Sequence, residues 1–287
     1  MSNLSVNPAD RPDALWEMFG VSKTIIGTIH LPPLPGSPRY DGQSVQQIRE
    51  RAVQDARRYA EGGVDGLIVE NEGDIPFVKP DDLGPETPAC MAVITAAVVD
   101  TVGLPTGVLV LANATLHSIA VAKAAGAQFI RANQWANAYV ANEGFLEGTA
   151  GRALRYRAGL GATEIRVLAD VHVKHGSHAI VADRTIAELT RDTEAFDADV
   201  VIATGQRTGD PTLVEEITAI SDVATRPVLI GSGLNADNAR ELLGHANGAI
   251  VGSAMKEDGA WWNPVSVQRT RTIMDVVRDL RSDMARR

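Results

Sequence analysis

Cysteine is nearly absent: Cys90 is the single one in 287 residues. That excludes an internal disulfide and fits a reducing compartment, so a cytoplasmic location is expected. Cys90 lies in an apolar pattern of helical spacing, which points to a buried thiol rather than a nucleophile. Positive charge is not in excess. Lys+Arg number 27 against 36 Asp+Glu, the formal net charge is −9 and the pI is about 5.2, so nothing favours a nucleic-acid partner. No basic start followed by an apolar run opens the chain, so no targeting segment is expected. Residues 101–122 lack Asp, Glu, Lys and Arg, but Gly103, Pro105, Gly107 and Asn113 interrupt them. They read as a strand followed by a helix, not as a transmembrane segment. There is no shift of composition, low-complexity linker or long charge run. Residues 24–287 therefore read as one domain behind an N-terminal extension, residues 1–23.

What is present is alternation. With 45% hydrophobic residues the chain can bury a substantial core. After a short helix within 13–20, strands are expected at 24–30, 65–71, 106–112, 128–133, 165–176, 200–205, 227–233 and 248–253. Helices are expected at 44–62, 86–102, 114–125, 145–160, 179–196, from Asp210-Pro211 onward, from 235 or 236 to 245, and from about 265 onward. Residues 31–38 form a loop stiffened by four prolines. Eight buried-type strands alternating with eight helices predict an α/β fold, a (β/α)8 TIM barrel, with a doubly wound sheet as the alternative.

The stretch around which the rest is organised is Ile165–Gly176. If it is a strand, period 2 places Val171 and Val173 on one face and Asp170, His172 and Lys174 on the other. An acid, an imidazole and an amine would then line a cavity. In such barrels the site lies at the C-terminal strand ends. The polar ends here are His30, Glu70 with Asn71, Asn113, Arg131 with Asn133, Asp170 with His172 and Lys174, and Thr204. A second set is Gly231-Ser232-Gly233 and Gly252-Ser253. Glycine-rich turns expose N–H groups and suit a phosphate, although glycines also simply make tight turns. Lys256 could add charge there or be solvated.

The chemistry is open at this level. Asp170, Lys174, Glu70 and His30 are the candidate catalytic groups, with Lys174 as base or Schiff-base nucleophile. Asn71, Asn113, Arg131, Asn133, His172 and Thr204 are candidate substrate contacts. No cofactor is expected. A divalent metal on Glu70, Asp74, Asp170 and His172 is an alternative without a compact motif behind it. His117, His178 and His245 read as structural or solvated. Trp135, Trp261 and Trp262 read as core or lid packing near the mouth.

Several blocks are also familiar. Residues 25–40 (IIGTIHLPPLPGSPRY), 65–71 (DGLIVEN) with 73–77 (GDIPF), 129–131 (FIR), 169–175 (ADVHVKH) and the two glycine turns resemble the BtpA/SgcQ family over about residues 24–265. The resemblance implies a barrel of the ribulose-phosphate-binding type. Its matching positions are His30, Glu70, Asn71, Asp74, Arg131, Asp170, Lys174 and the glycine turns. The family usually shows Asn-Asp where this chain has Asn113-Ala114, and a Thr-Gly segment where it has Gln134–Asn137. Those departures line the same mouth and suggest a ligand particular to this subfamily. The family takes its name from a cyanobacterial factor needed for photosystem I accumulation. Other members lie beside sugar-metabolism genes. Two functions follow as expectations. One is an enzyme binding a phosphorylated sugar or nucleoside-like molecule, an isomerase, lyase or glycosyl-bond hydrolase. The other is a non-enzymatic biogenesis or assembly factor acting through a protein partner. A homo-oligomer paired through outer helices is compatible with either.

Overall fold

A computed structural model of the chain describes residues 13–205 and 212–286. Eight short runs rich in Val and Ile close into a parallel barrel: β1 (Thr24–His30), β2 (Gly66–Glu70), β3 (Thr106–Leu109), β4 (Phe129–Ala132), β7 (Arg166–Asp170), β9 (Val200–Ala203), β10 (Val228–Ile230) and β11 (Gly248–Val251). Between β4 and β7 run β5 (Ala138–Ala141) and β6 (Gly144–Glu147). After β7 comes β8 (Gly176–Ser177), and these three form a separate antiparallel sheet. Barrel neighbours are sequential in the chain, and β1 closes on β11 through pairs such as Ile26 with Ile250. Outside the strands lie α2 (Val45–Gly62), α3 (Glu86–Val102), α4 (Thr115–Ala125), α5 (Ala150–Gly159), α6 (Ile186–Ala195), α7 (Val214–Ser221), α8 (Ala239–Leu242) and α9 (Val267–Ala285). None of the described helices is long and apolar enough to cross a membrane.

Local chemistry sets the helix ends. Ser44 caps α2 and exchanges hydrogen bonds with Gln47, and Thr185 does the same with Glu188 at the start of α6. The buried stripe of α2, Ile48, Ala52, Ala56 and Tyr59, packs on the barrel. Inside the barrel, Ile26, Ile68, Phe129, Leu168, Ile202, Leu229 and Ile250 form a second core. Helix α1 (Ala14–Phe19), capped by Asp13, packs Ala14, Leu15, Met18 and Phe19 against that core. Phe19 meets Phe129 edge-on at 6.0 Å. Phe129 and Val200 begin their strands, so α1 closes the N-terminal end of the barrel and leaves the site at the opposite end.

Four expected elements differ. The strand over 165–176 stops at Asp170, because the ladder with β9 ends where Val171 N–H donates to the Ile202 carbonyl. Val171 then buries in the outer core, while Val173 joins Tyr139 and Leu146 under the small sheet. Their alternation serves two different surfaces. The helix expected over 145–160 begins at Ala150, because Gly144, at φ 98°, turns residues 138–147 into a hairpin. The one over 179–196 is a turn of 3-10 helix at Ala179–Val181 followed by α6. The one over 235–245 contracts to Ala239–Leu242. Asp210 and Pro211 lie outside the described residues, and the helix that follows them begins at Val214.

Candidate active site

The C-terminal mouth holds a buried cluster of ionisable groups. Arg131, at the end of β4, donates Nε to Asp170 Oδ2 at 3.1 Å and Nη2 to Oδ1 at 2.9 Å. Asn133 Nδ2 adds a hydrogen bond to Asp170 Oδ2 at 3.1 Å, and the Thr204 hydroxyl donates to Oδ1. The carboxylate thus takes four hydrogen bonds. Asp170 was expected as an acid/base group. Its oxygens are occupied, and what it does here is fix Arg131. A Cβ on Gly231 would meet Ile202 at 2.6 Å and Arg131 Nη2 at 2.9 Å, so a glycine is required for the guanidinium to fit.

Glu70, at the end of β2, is differently placed. Its Oε1 lies 3.9 Å from Arg131 Nη1 and its Oε2 3.8 Å from His30 Nε2. Oε1 has no hydrogen bond among the described residues, and neither has His30 Nδ1. The two side chains are 6% and 7% exposed. Burial raises the Glu70 carboxyl above its usual range, against the pull of Arg131 and Lys174. Burial lowers His30 well below its ordinary value, and the charges of Lys256, Lys174 and Arg131 lower it further, against a backbone hydrogen bond at Trp261. Gly252 admits His30, since a Cβ there would lie 2.8 Å from its ring, and Trp261 covers the ring edge-on at 5.7 Å.

Lys174 reaches the same cluster from beyond β7. Its Nζ donates to Ser232 Oγ at 3.3 Å. Burial and then Arg131 depress it to about 8, while Glu70, Asp170 and Glu72 oppose that. Glu72 was not singled out in the sequence. Burial and the adjacent Glu70 raise it to about 7. The available signal was its place just past the end of β2, where it opens a turn of 3-10 helix at Glu72–Asp74. The turn that carries it is anchored by Asp74, whose Oδ1 accepts the Leu34 N–H at 2.7 Å and ties it to the proline-rich loop.

The remaining candidates have other partners. Asn71 holds backbone, accepting the Leu111 N–H at 2.8 Å and donating to Asp74. Asn113 accepts the Gln134 N–H at 2.9 Å and donates to the Gln134 carbonyl. His172 leaves the cluster. It stacks on His178 at 3.7 Å, and His178 stacks on Tyr139 at 5.1 Å. Burial, and then His178, depress it to about 4. It lines a cavity of about 510 Å³ with Val181, Leu189 and Glu216. Among the described residues no three His, Cys, Asp or Glu side chains gather where they could hold a metal ion. In particular Glu70, Asp74, Asp170 and His172 do not converge. Lys256 is not solvated: it is fully buried, 3.3 Å from Asp55 and over the Tyr59 ring. Trp135 is core, with its indole N–H on the Phe196 carbonyl at 2.8 Å, and Trp262 is exposed. Of the glycine turns, Gly233 takes a φ of 76°, and Ser253 begins a single turn of 3-10 helix.

Residues 21–279 match the BtpA family. The chain belongs to that family. It is 40% identical over 262 residues to an uncharacterized protein of Pyrococcus abyssi, covering 91% of this chain and 98% of that one. It is 38% identical to the photosystem I biogenesis protein BtpA of Synechocystis over 85% of this chain and 84% of that one. Among solved structures, thiamine phosphate pyrophosphorylase from Pyrococcus furiosus superposes with a TM-score of 0.54 at 17% identity, covering 90% of this chain and 96% of that one. At that identity the likeness shows the fold alone. This BtpA-family chain is accordingly a TIM barrel.

Proposed function

We propose that the protein is an enzyme that binds a phosphorylated sugar or a nucleoside-like compound at the barrel mouth and carries out acid/base chemistry on it. The observation that carries this reading is the cluster of buried His30, Glu70 and Arg131 with half-buried Glu72 and Lys174. Ionisable groups gathered in a core cost stability, and perturbed ones at strand ends of a barrel mark functional sites. Lys174 and Glu72 serve as the proton-transfer pair, with Glu70 beside them. His30 offers a hydrogen bond, and Arg131, held by Asp170, offers fixed positive charge. The turns Gly231-Ser232-Gly233 and Gly252-Ser253 cradle the phosphate.

The test is a thermal-shift screen with phosphorylated pentoses, hexoses and nucleotides. A ligand at a hundred times its Kd adds about 2.7 kcal/mol, which in a chain of this size raises Tm by several degrees. The shift should vanish in Gly233→Asp. A flat screen over a broad panel would overturn the reading. The cyanobacterial relative's name favours a second one, a factor that works through a protein partner. That reading expects Lys174→Met to leave biological activity intact, whereas the enzyme reading expects its loss with the fold retained.

A further inference from the structure

The chain has five lysines, and their partners separate them. Lys23 donates to the Ala246 carbonyl at 2.8 Å, Lys123 pairs with Glu164 at 2.7 Å, and Lys256 pairs with Asp55 at 3.3 Å. Lys79 is half-buried beside Gly144, in the hairpin that follows β4. Lys174 lies within the mouth cluster, yet its hydrogen bond goes to a neutral hydroxyl, and no carboxylate pairs with it among the described residues. An amine near carboxyl groups but bonded to none keeps its lone pair available once it loses a proton. The second observation concerns the ligand. Glu70 Oε1 and His30 Nδ1 are buried in the same cluster without hydrogen bonds, one an acceptor and the other a donor or acceptor by tautomer. Buried polar atoms of that kind need partners, and hydroxyl groups of a bound sugar fit both.

We propose that Lys174 is a covalent nucleophile that forms an imine with the carbonyl carbon of a phosphorylated aldehyde or ketone. This rests on the phosphorylated-ligand reading above and names its reactive group. The neutral amine adds to the carbonyl carbon, and the carbonyl π electrons go to oxygen. A proton passes from nitrogen to that oxygen, giving the carbinolamine. Glu72, as the carboxylic acid, then protonates the hydroxyl. The C–O bond breaks, water leaves, and the nitrogen lone pair forms C=N. The Glu72 carboxylate takes back the remaining N–H proton. The sum is amine plus carbonyl giving imine plus water, with Glu72 restored. No redox partner is required. The depressed Lys174 value of about 8 leaves an appreciable neutral fraction near pH 7.5.

The test is reductive trapping on the full-length protein at pH 7.5. The probes are pyridoxal 5′-phosphate, glycolaldehyde phosphate and glycolaldehyde, each followed by borohydride and peptide mapping. Five lysines make the assignment unambiguous. Lys174 should be trapped by the phosphorylated probes at least about tenfold faster than Lys79 or Lys123, as a nucleophile activated by its surroundings would be. Inorganic phosphate should protect it. Lys174→Arg should abolish that adduct while the circular dichroism spectrum and Tm are retained. Trapping at Lys174 that is equal with glycolaldehyde and indifferent to phosphate would keep the imine and remove the phosphate cradle. Modification of Lys79 or Lys123 with Lys174 untouched by the two small probes would overturn the imine, and the thermal-shift response to phosphate would then decide the cradle separately.

Discussion

Replacing Asp170 by alanine strands a guanidinium. Arg131 is 5% exposed at its side chain, and two of its hydrogen bonds go to that carboxylate. Breaking a buried pair from one side costs about 3–5 kcal/mol, because the surviving charge stays desolvated. Asp170→Ala should lose that much in urea unfolding, seen as a lower midpoint at unchanged slope. A loss under about 1 kcal/mol would show that the carboxylate is free for chemistry rather than bound to Arg131. At this scale the sequence was partly legible. The strand ends brought His30, Glu70, Arg131 and Asp170 to one mouth, and Lys174 reaches it from the loop beyond β7 although the strand alternation that singled it out stops at Asp170. The sequence could not tell an amide that meets a ligand from one that meets backbone, since both uses bury an asparagine at a strand end. Asn71 and Asn113 are of the second kind. Lys256 could not be read as buried, because its partner Asp55 lies 201 residues away on α2.

At the scale of elements, α1 is a stopper. Leu15 is 3% exposed and packs with residues from the barrel interior. Leu15→Ala should cost about 2–4 kcal/mol by transfer and cavity terms, measured by urea unfolding. A cost under 1 kcal/mol would mean that the barrel closes without the helix. Gly231→Ala tests the turn after β10. The added methyl meets Ile202 and Arg131 within 3 Å. Overpacking of that kind costs about 1–3 kcal/mol, and it should also displace Arg131 and weaken any ligand found in the thermal screen. A variant of normal stability and normal ligand response would contradict the close fit. The eight barrel strands were legible because parallel strands buried on both sides read as short apolar runs. The hairpin and β8 were not. Their strands have only two to four residues, and β8 pairs with β5 from a separate loop. Alternation through Val171 and Val173 imitated a longer strand, although each valine buries against a different surface.

At the scale of the whole molecule, the cluster makes stability depend on pH with two opposed limbs. Glu72 has an ordinary value of 4.5 and about 7 when folded. Below about 4.5 it is protonated in both states and costs nothing. Between 4.5 and 7 the unfolded chain releases the proton first, so stability falls as pH rises, and above 7 the penalty is complete. Glu72→Gln should therefore stabilise by roughly 1–3 kcal/mol at pH 8 and by nothing at pH 4. Lys174 has an ordinary value of 10.5 and about 8 when folded, so its sign is reversed. Its charged form is penalised in full below 8, and the penalty is relieved as pH rises toward 10.5. Lys174→Met should thus show its greatest gain near pH 6 and lose it by pH 10. Urea is the denaturant of choice, because guanidinium salt would screen the charges being measured. Unfolding midpoints at pH 4, 6, 8 and 10 for the parent and both variants decide the matter. Gains that do not change with pH would mean that neither side chain is strained by burial at the mouth. Gains on opposite limbs would show two groups held against their own solvation at one place. No packing contact of the barrel accounts for two such groups there, and the proton transfer proposed for them would.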